Sequence, residues 1–155
     1  MPTELNIAPR YAQWAIQGFA RLIATFAVMQ GLLITVGGPR RWSSPAFAVA
    51  MLVPGAPATW GVTLLAIGAA ILALTFTTHL RCTAVALYLL TVWSAGMTTA
   101  SVAAWARDER ASTGFNYPLL GIIAAVLAVI YWKSGALRKS LPERVRHAVV
   151  QSPPA

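Results

Sequence analysis

Thr59 to Trp105 reads TWGVTLLAIGAAILALTFTTHLRCTAVALYLLTVWSAGMTTASVAAW, and Arg81 is its only Lys, Arg, Asp or Glu. Two apolar runs, 59–78 and 82–105, flank the short break His79-Leu80-Arg81. A helix needs about 20 mostly apolar residues to cross roughly 30 Å of hydrocarbon, and each run is of that order. Lipid offers the backbone no hydrogen-bond partner, so each run is expected as a helix. So short a break forces an antiparallel hairpin of adjacent helices.

Working outward, two more stretches approach that length: Leu22 to Gly37, and Pro118 to Trp132. Gly37-Gly38-Pro39 closes the first, and Pro118 stands where a helix start tolerates it. The whole chain agrees: of 155 residues, 57% are apolar and only 10% charged, with a mean hydropathy of +0.64. Soluble domains carry about 25% charged residues, so an ordinary water-soluble fold is excluded. The expected class is an all-α polytopic membrane protein whose four transmembrane helices form a bundle over 22–132, at 22–37, 59–78, 82–105 and 118–132. An amphipathic segment (1–21) precedes it, and a short basic cytoplasmic tail (133–155) follows. The single cysteine, Cys82, excludes an intramolecular disulfide.

The net charge of +8 lies between and beyond the apolar runs, which points to a bilayer rather than nucleic acid. Arg10, Arg21, Arg81, Lys133, Arg138, Lys139, Arg144 and Arg146 fall on the side of both termini. Arg40, Arg41, Arg107 and Arg110 fall on the other side, two of them beside Asp108 and Glu109. The positive-inside rule places both termini in the cytoplasm. Trp60, Trp105 and Tyr117 then mark the outer interface, Tyr131 and Trp132 the inner one. Trp93, near the middle of the third run, reads as a ring packed between helices or against lipid.

Upstream of the first run, Tyr11, Trp14, Ala15, Gly18, Phe19 and Leu22 recur at helical spacing, with Arg10, Gln13, Gln17 and Arg21 on the opposite stripe. Such a helix either lies in the headgroups or continues into the first span, turning its polar stripe to a neighbour or to water. Ala46–Val53, bracketed by Pro45 and Pro54, is too short to cross and is expected on the outer surface or dipping partway in. In the tail, Ser140-Leu141-Pro142-Glu143 has capping-box spacing and suggests a separate short helix on the inner leaflet.

Chemistry is sparse. No run has Asp, Glu, Lys or Arg in its core, so carboxylate-coupled transport and proton relays lack their residues. A bilayer about 30 Å thick separates His79 and His147 from Asp108 and Glu109, too far for a nucleophilic triad. His79 and Cys82 would supply only two ligands, fewer than zinc requires. No catalytic, cofactor or metal site is read, and the chain is expected to be non-enzymatic. The runs do carry small residues four apart: Ala27 and Gly31; Ala66 and Ala70; Gly96, Ala100 and Ala104; Gly121 and Ala125. Such ridges let helices approach closely, within one bundle or between copies. Hydroxyls of Ser94, Thr98 and Ser101 are placed to bond across helices.

Gly38-Pro39-Arg40-Arg41-Trp42-Ser43-Ser44-Pro45, followed by Val53-Pro54-Gly55-Ala56-Pro57-Ala58-Thr59-Trp60-Gly61, resembles the first extracytoplasmic loop of small multi-span proteins from actinobacterial phages. That family is holin-like and associated with lysis cassettes. The resemblance implies a protein that oligomerises in the host inner membrane and permeabilises or depolarises it. Its partners would be the bilayer, further copies of itself and other lysis proteins, with no nucleic acid and no cofactor. The alternative is a non-catalytic accessory subunit of a larger membrane complex.

Overall fold

The computed structural model describes residues 7–37, 47–77, 79–107 and 116–150, with side chains over 14–37, 47–77, 79–107 and 117–136. It is all-α, without a strand among the described residues. The four helices are α1 (Ile7–Val36), α2 (Ala58–Leu74), α3 (Leu80–Trp105) and α4 (Asn116–Val150), with a 3₁₀ turn at Ala50–Leu52. Three segments, Trp14–Val36, Leu80–Trp105 and Tyr117–Ala136, are long and apolar enough to cross a membrane. The fourth apolar helix, α2, has 17 residues and is about 25 Å long.

The structure takes the second of the two alternatives for the N-terminal segment, and it runs the tail into the fourth helix. The amphipathic segment and the first apolar run form one helix, α1, so Arg21 falls inside a continuous rod. Nothing between Pro9 and Val36 breaks it, and Pro9 sits in its first turn, where a missing N–H costs no bond. The fourth run likewise continues without interruption through Pro142 to Val150, so no separate tail helix begins at Ser140. Pro142, which donates no backbone bond, falls inside this 35-residue helix. Side chains of that extension, including the capping-box residues, lie outside the described residues.

The hairpin between the second and third runs turns earlier than expected. Thr75 Oγ1 donates to the Leu72 carbonyl at 2.7 Å and Thr77 Oγ1 to the Leu74 carbonyl at 2.9 Å. These hydroxyls bond carbonyls of the last helical turn, and the Leu74 carbonyl also accepts the Thr77 N–H at 3.0 Å, so α2 stops before its apolar run does.

Packing follows a 4-3-4-3 spacing on every helix. Buried positions run Ala20, Ala24, Ala27, Gly31, Ile34 on α1, and Gly61, Leu64, Gly68, Ile71, Thr75 on α2 and its cap. On α3 they run Thr83, Leu87, Leu90, Ser94, Met97, Ser101, Ala104; on α4, Gly121, Ala124, Ala128, Tyr131, Gly135. A repeat averaging 3.5 residues is that of left-handed helix pairs with knobs-into-holes packing. Contact is densest between α1 and α2 and between α3 and α4; α2 meets α3 less extensively, and α1 only grazes α4. The molecule is therefore two tight pairs joined along a looser seam.

The start of α2 reaches only the middle of α3, where Trp60 meets Trp93. About 18 Å of α3 extends beyond that point. The segment entering α2 folds back over it: Val49 packs on Ala104, and Ala50 is buried. Trp60 Nε1 donates to the Ala50 carbonyl at 2.9 Å, holding the segment in place. The apolar stretch thus lies along α3, supplementing a helix too short to cover its neighbour.

Candidate functional site

The polar side chains converge at two levels. At the level where α2 ends, Arg21 of α1 reaches across to the helix C-terminus. Its Nη2 donates to the Thr75 carbonyl at 3.4 Å, and its guanidinium carbon lies 4.4 Å from the centre of the Phe76 ring. A cation beside the last carbonyls of a helix meets the negative end of its dipole, and the ring face adds a second attraction. Arg21 is partly buried, and its Nε is closed off without a hydrogen-bond partner. On α4 Tyr131 is 4% exposed, and its hydroxyl is also closed off and unpartnered.

Of the sequence-derived polar stripe, Arg21 therefore faces a neighbouring helix, and Gln17 is partly buried one turn earlier. Side chains of Arg10 and Gln13 lie outside the described residues. The same level carries Arg81, whose guanidinium carbon lies 5.5 Å from the Trp132 ring centre, together with exposed His79, Cys82 and Lys133. No Asp or Glu side chain is among those described.

At the opposite level Trp93 is buried between two rings, edge-on to Trp60 at 6.1 Å and to Tyr117 at 5.9 Å. Its Nε1 donates to the Trp60 carbonyl at 3.2 Å. Beside it Ser94 Oγ donates to the Tyr117 carbonyl, and Thr91 Oγ1 lies 3.5 Å from the Gly121 carbonyl. Trp93 is thus packed between helices, and Ser94 bonds across them. Thr98 and Ser101 do not: their hydroxyls donate to the carbonyls of Ser94 and Met97 on their own helix. The i−4 carbonyl is the nearest acceptor to a helical hydroxyl, and it outcompetes a neighbouring helix that offers none.

The small residues divide in the same way. Ala27 and Gly31 are buried against α2: a Cβ on Gly31 would stand 2.6 Å from the Leu65 nitrogen and 2.8 Å from the Gly61 carbonyl oxygen. Ala100 and Ala104 are buried, Gly96 is partly so beneath the Trp60 ring, and Gly121 packs on Ser94. Ala125 is partly buried. Ala66 and Ala70 lie outside the intramolecular contact: both are exposed on the far side of α2. The residues that meet α1 are Gly61 and Gly68, a Cβ on the latter standing 2.9 Å from the Val28 nitrogen. These two glycines are seven apart rather than four, with Leu64 and Ile71 interleaved, and that separation is their signal in the sequence.

Comparison with protein-family models, curated proteins and solved structures gives no match to this chain.

Proposed function

We propose that this chain is a holin-like phage protein that inserts four helices into the host inner membrane, both termini in the cytoplasm, and permeabilises or depolarises it by oligomerising. The observation that carries this reading is the distribution of polarity. Outward faces are largely apolar, with Phe26, Leu33, Val62, Val92 and Ile122 among the exposed side chains. Some polar groups lie on the inward seams, namely Thr75, Thr83, Ser94, Ser101, Tyr131 and, partly, Arg21, while Thr25, Thr35, Thr63, Tyr88 and Thr99 face outward. A molecule built from two tight pairs can part along its looser seam and turn those faces toward further copies. The Thr83 hydroxyl, 3.5 Å from the Leu74 carbonyl across that seam, would then face a shared opening, while each pair keeps its lipid-facing surface.

Induced expression with a membrane-potential dye tests this. The expected result is collapse of the potential after a delay that shortens at higher expression. Normal potential and growth at high expression overturn it. Stoichiometric co-purification with one partner, without homo-oligomers, would instead support an accessory subunit.

A further inference from the structure

The spacing that packs α1 against α2 recurs on the outward side of α1. Phe19, Leu22, Phe26, Met29, Leu33 and Val36 follow one another at intervals of three and four, and all are exposed. This is the repeat by which a helix packs along a like helix. Lipid covers such a face as well as protein does, so the stripe by itself names no partner.

Two polar side chains on its borders do. Gln30 stands nine residues from Arg21 and six from Val36, about 14 and 9 Å along the axis, deep in the hydrocarbon. Its neighbour Gly31 packs on Leu65, near the middle of α2. The Gln30 side chain is partly buried and makes no hydrogen bond among the described residues, yet neither end of its amide is closed off. On the other border Thr25 is exposed, and its hydroxyl is likewise without a bond among the described residues. Every other described threonine gives its hydroxyl to a backbone carbonyl. An open amide in hydrocarbon is costly, and lipid tails offer it nothing.

Thr25 and Gln30 point about 140° apart around α1, so they cannot meet within one molecule. They can meet between two. Copies inserted in one orientation present α1 in parallel, and a two-fold axis along the bilayer normal brings the same stripe of each together. With Phe19, Phe26 and Leu33 at heptad position a and Leu22, Met29 and Val36 at d, Thr25 takes position g and Gln30 position e. In a parallel pair, g of one helix faces e of the other helix five residues further on. Thr25 and Gln30 are five apart.

We propose that α1 is the face through which two copies of this chain pair in the membrane, Thr25 Oγ1 of each donating to Gln30 Oε1 of the other beside a core of Phe26 and Met29. Symmetry makes two such bonds. The contact deepens the proposed function, on whose membrane setting it rests, by naming where copies first meet. It joins closed molecules and does not need the looser seam to part.

The test uses the full chain in vesicles of phosphatidylglycerol and phosphatidylcholine, with pairing read as energy transfer between donor- and acceptor-labelled copies over a range of protein-to-lipid ratios. Gln30→Leu and Thr25→Val are each expected to weaken pairing about tenfold, the loss of two symmetric hydrogen bonds. The double variant should lose no more than either single one, because both remove the same bonds. Thr99→Val, at an exposed threonine whose hydroxyl already serves the Ala95 carbonyl, should change nothing. Met29→Cys in a Cys82→Ser background should cross-link to its own copy under iodine, and Thr63→Cys on the outer side of α2 should not, a readout that stands even where a polar variant misfolds. Additive losses, an unaffected single variant at Thr25 or Gln30, or failure of Met29→Cys to cross-link overturns the proposal. Pairs that form as described while expressing cells keep their membrane potential support this contact and overturn only the permeabilising reading. Monomers at every ratio, in cells whose potential collapses, do the reverse.

Discussion

The α1–α2 pair and the α3–α4 pair solve one problem by different means. Helices in lipid gain nothing from burying apolar surface against one another, so contact must come from close dispersion packing or from polar bonds. The first pair takes the former route: Gly31, Gly61 and Gly68 bring backbone against backbone, and Arg21 to Thr75 is its one hydrogen bond between helices among the described residues. The second pair joins through side chains, with Ser94 bonded to the Tyr117 carbonyl and Trp93 edge-on to Tyr117. A seam of glycines tolerates no added atom, whereas a seam of hydroxyls and rings can give at any one contact. The two pairs should therefore respond differently to substitution.

Gly31→Leu tests that difference most severely. Even the first added carbon would meet the backbone of α2 at 2.6 Å, so α1 and α2 must separate. The expected loss is about 3 kcal/mol or more, read by unfolding in mixed micelles. Gly18→Ala on the same helix meets nothing within 4 Å and should leave stability unchanged or slightly raised. Gly121→Ala is a smaller change, made in the second pair. Its Cβ would stand 3.2 Å from the Ser94 side chain, which can shift, so the expected cost is about 1 kcal/mol. A cost equal to that of Gly31→Leu would erase the contrast.

Ser94→Ala should cost about 0.6 kcal/mol, typical of a hydrogen bond between membrane helices. Thr98→Ala is expected to stay within about 0.5 kcal/mol, because its hydroxyl serves only its own helix. If Thr98→Ala proved the costlier of the two, the assignment of Ser94 as the joint between α3 and α4 would fail.

Much of the fold was legible in residue order. Apolar length marked the four helices, and Pro118 stood correctly in the first turn of α4. Helix ends were less legible where local chemistry competes with hydropathy. Thr75 and Thr77 end α2 by bonding its carbonyls, although the apolar run continues past them. The candidate site was half visible: Arg21 stood out on the polar stripe, but its neighbours Thr75 and Phe76 come from a distant part of the chain.

Sequence by itself determined the solvent, because a chain so apolar and so poor in charge finds its free-energy minimum in lipid whatever its tertiary contacts. It also determined that the elements are helices, since only intrahelical bonds satisfy a lone backbone segment there. Tertiary structure alone decided which faces meet. In lipid every apolar face is equally well solvated, so hydropathy cannot tell a buried stripe from an exposed one. Steric fit makes the choice: Gly61 and Gly68 face α1, while Ala66 and Ala70 face outward.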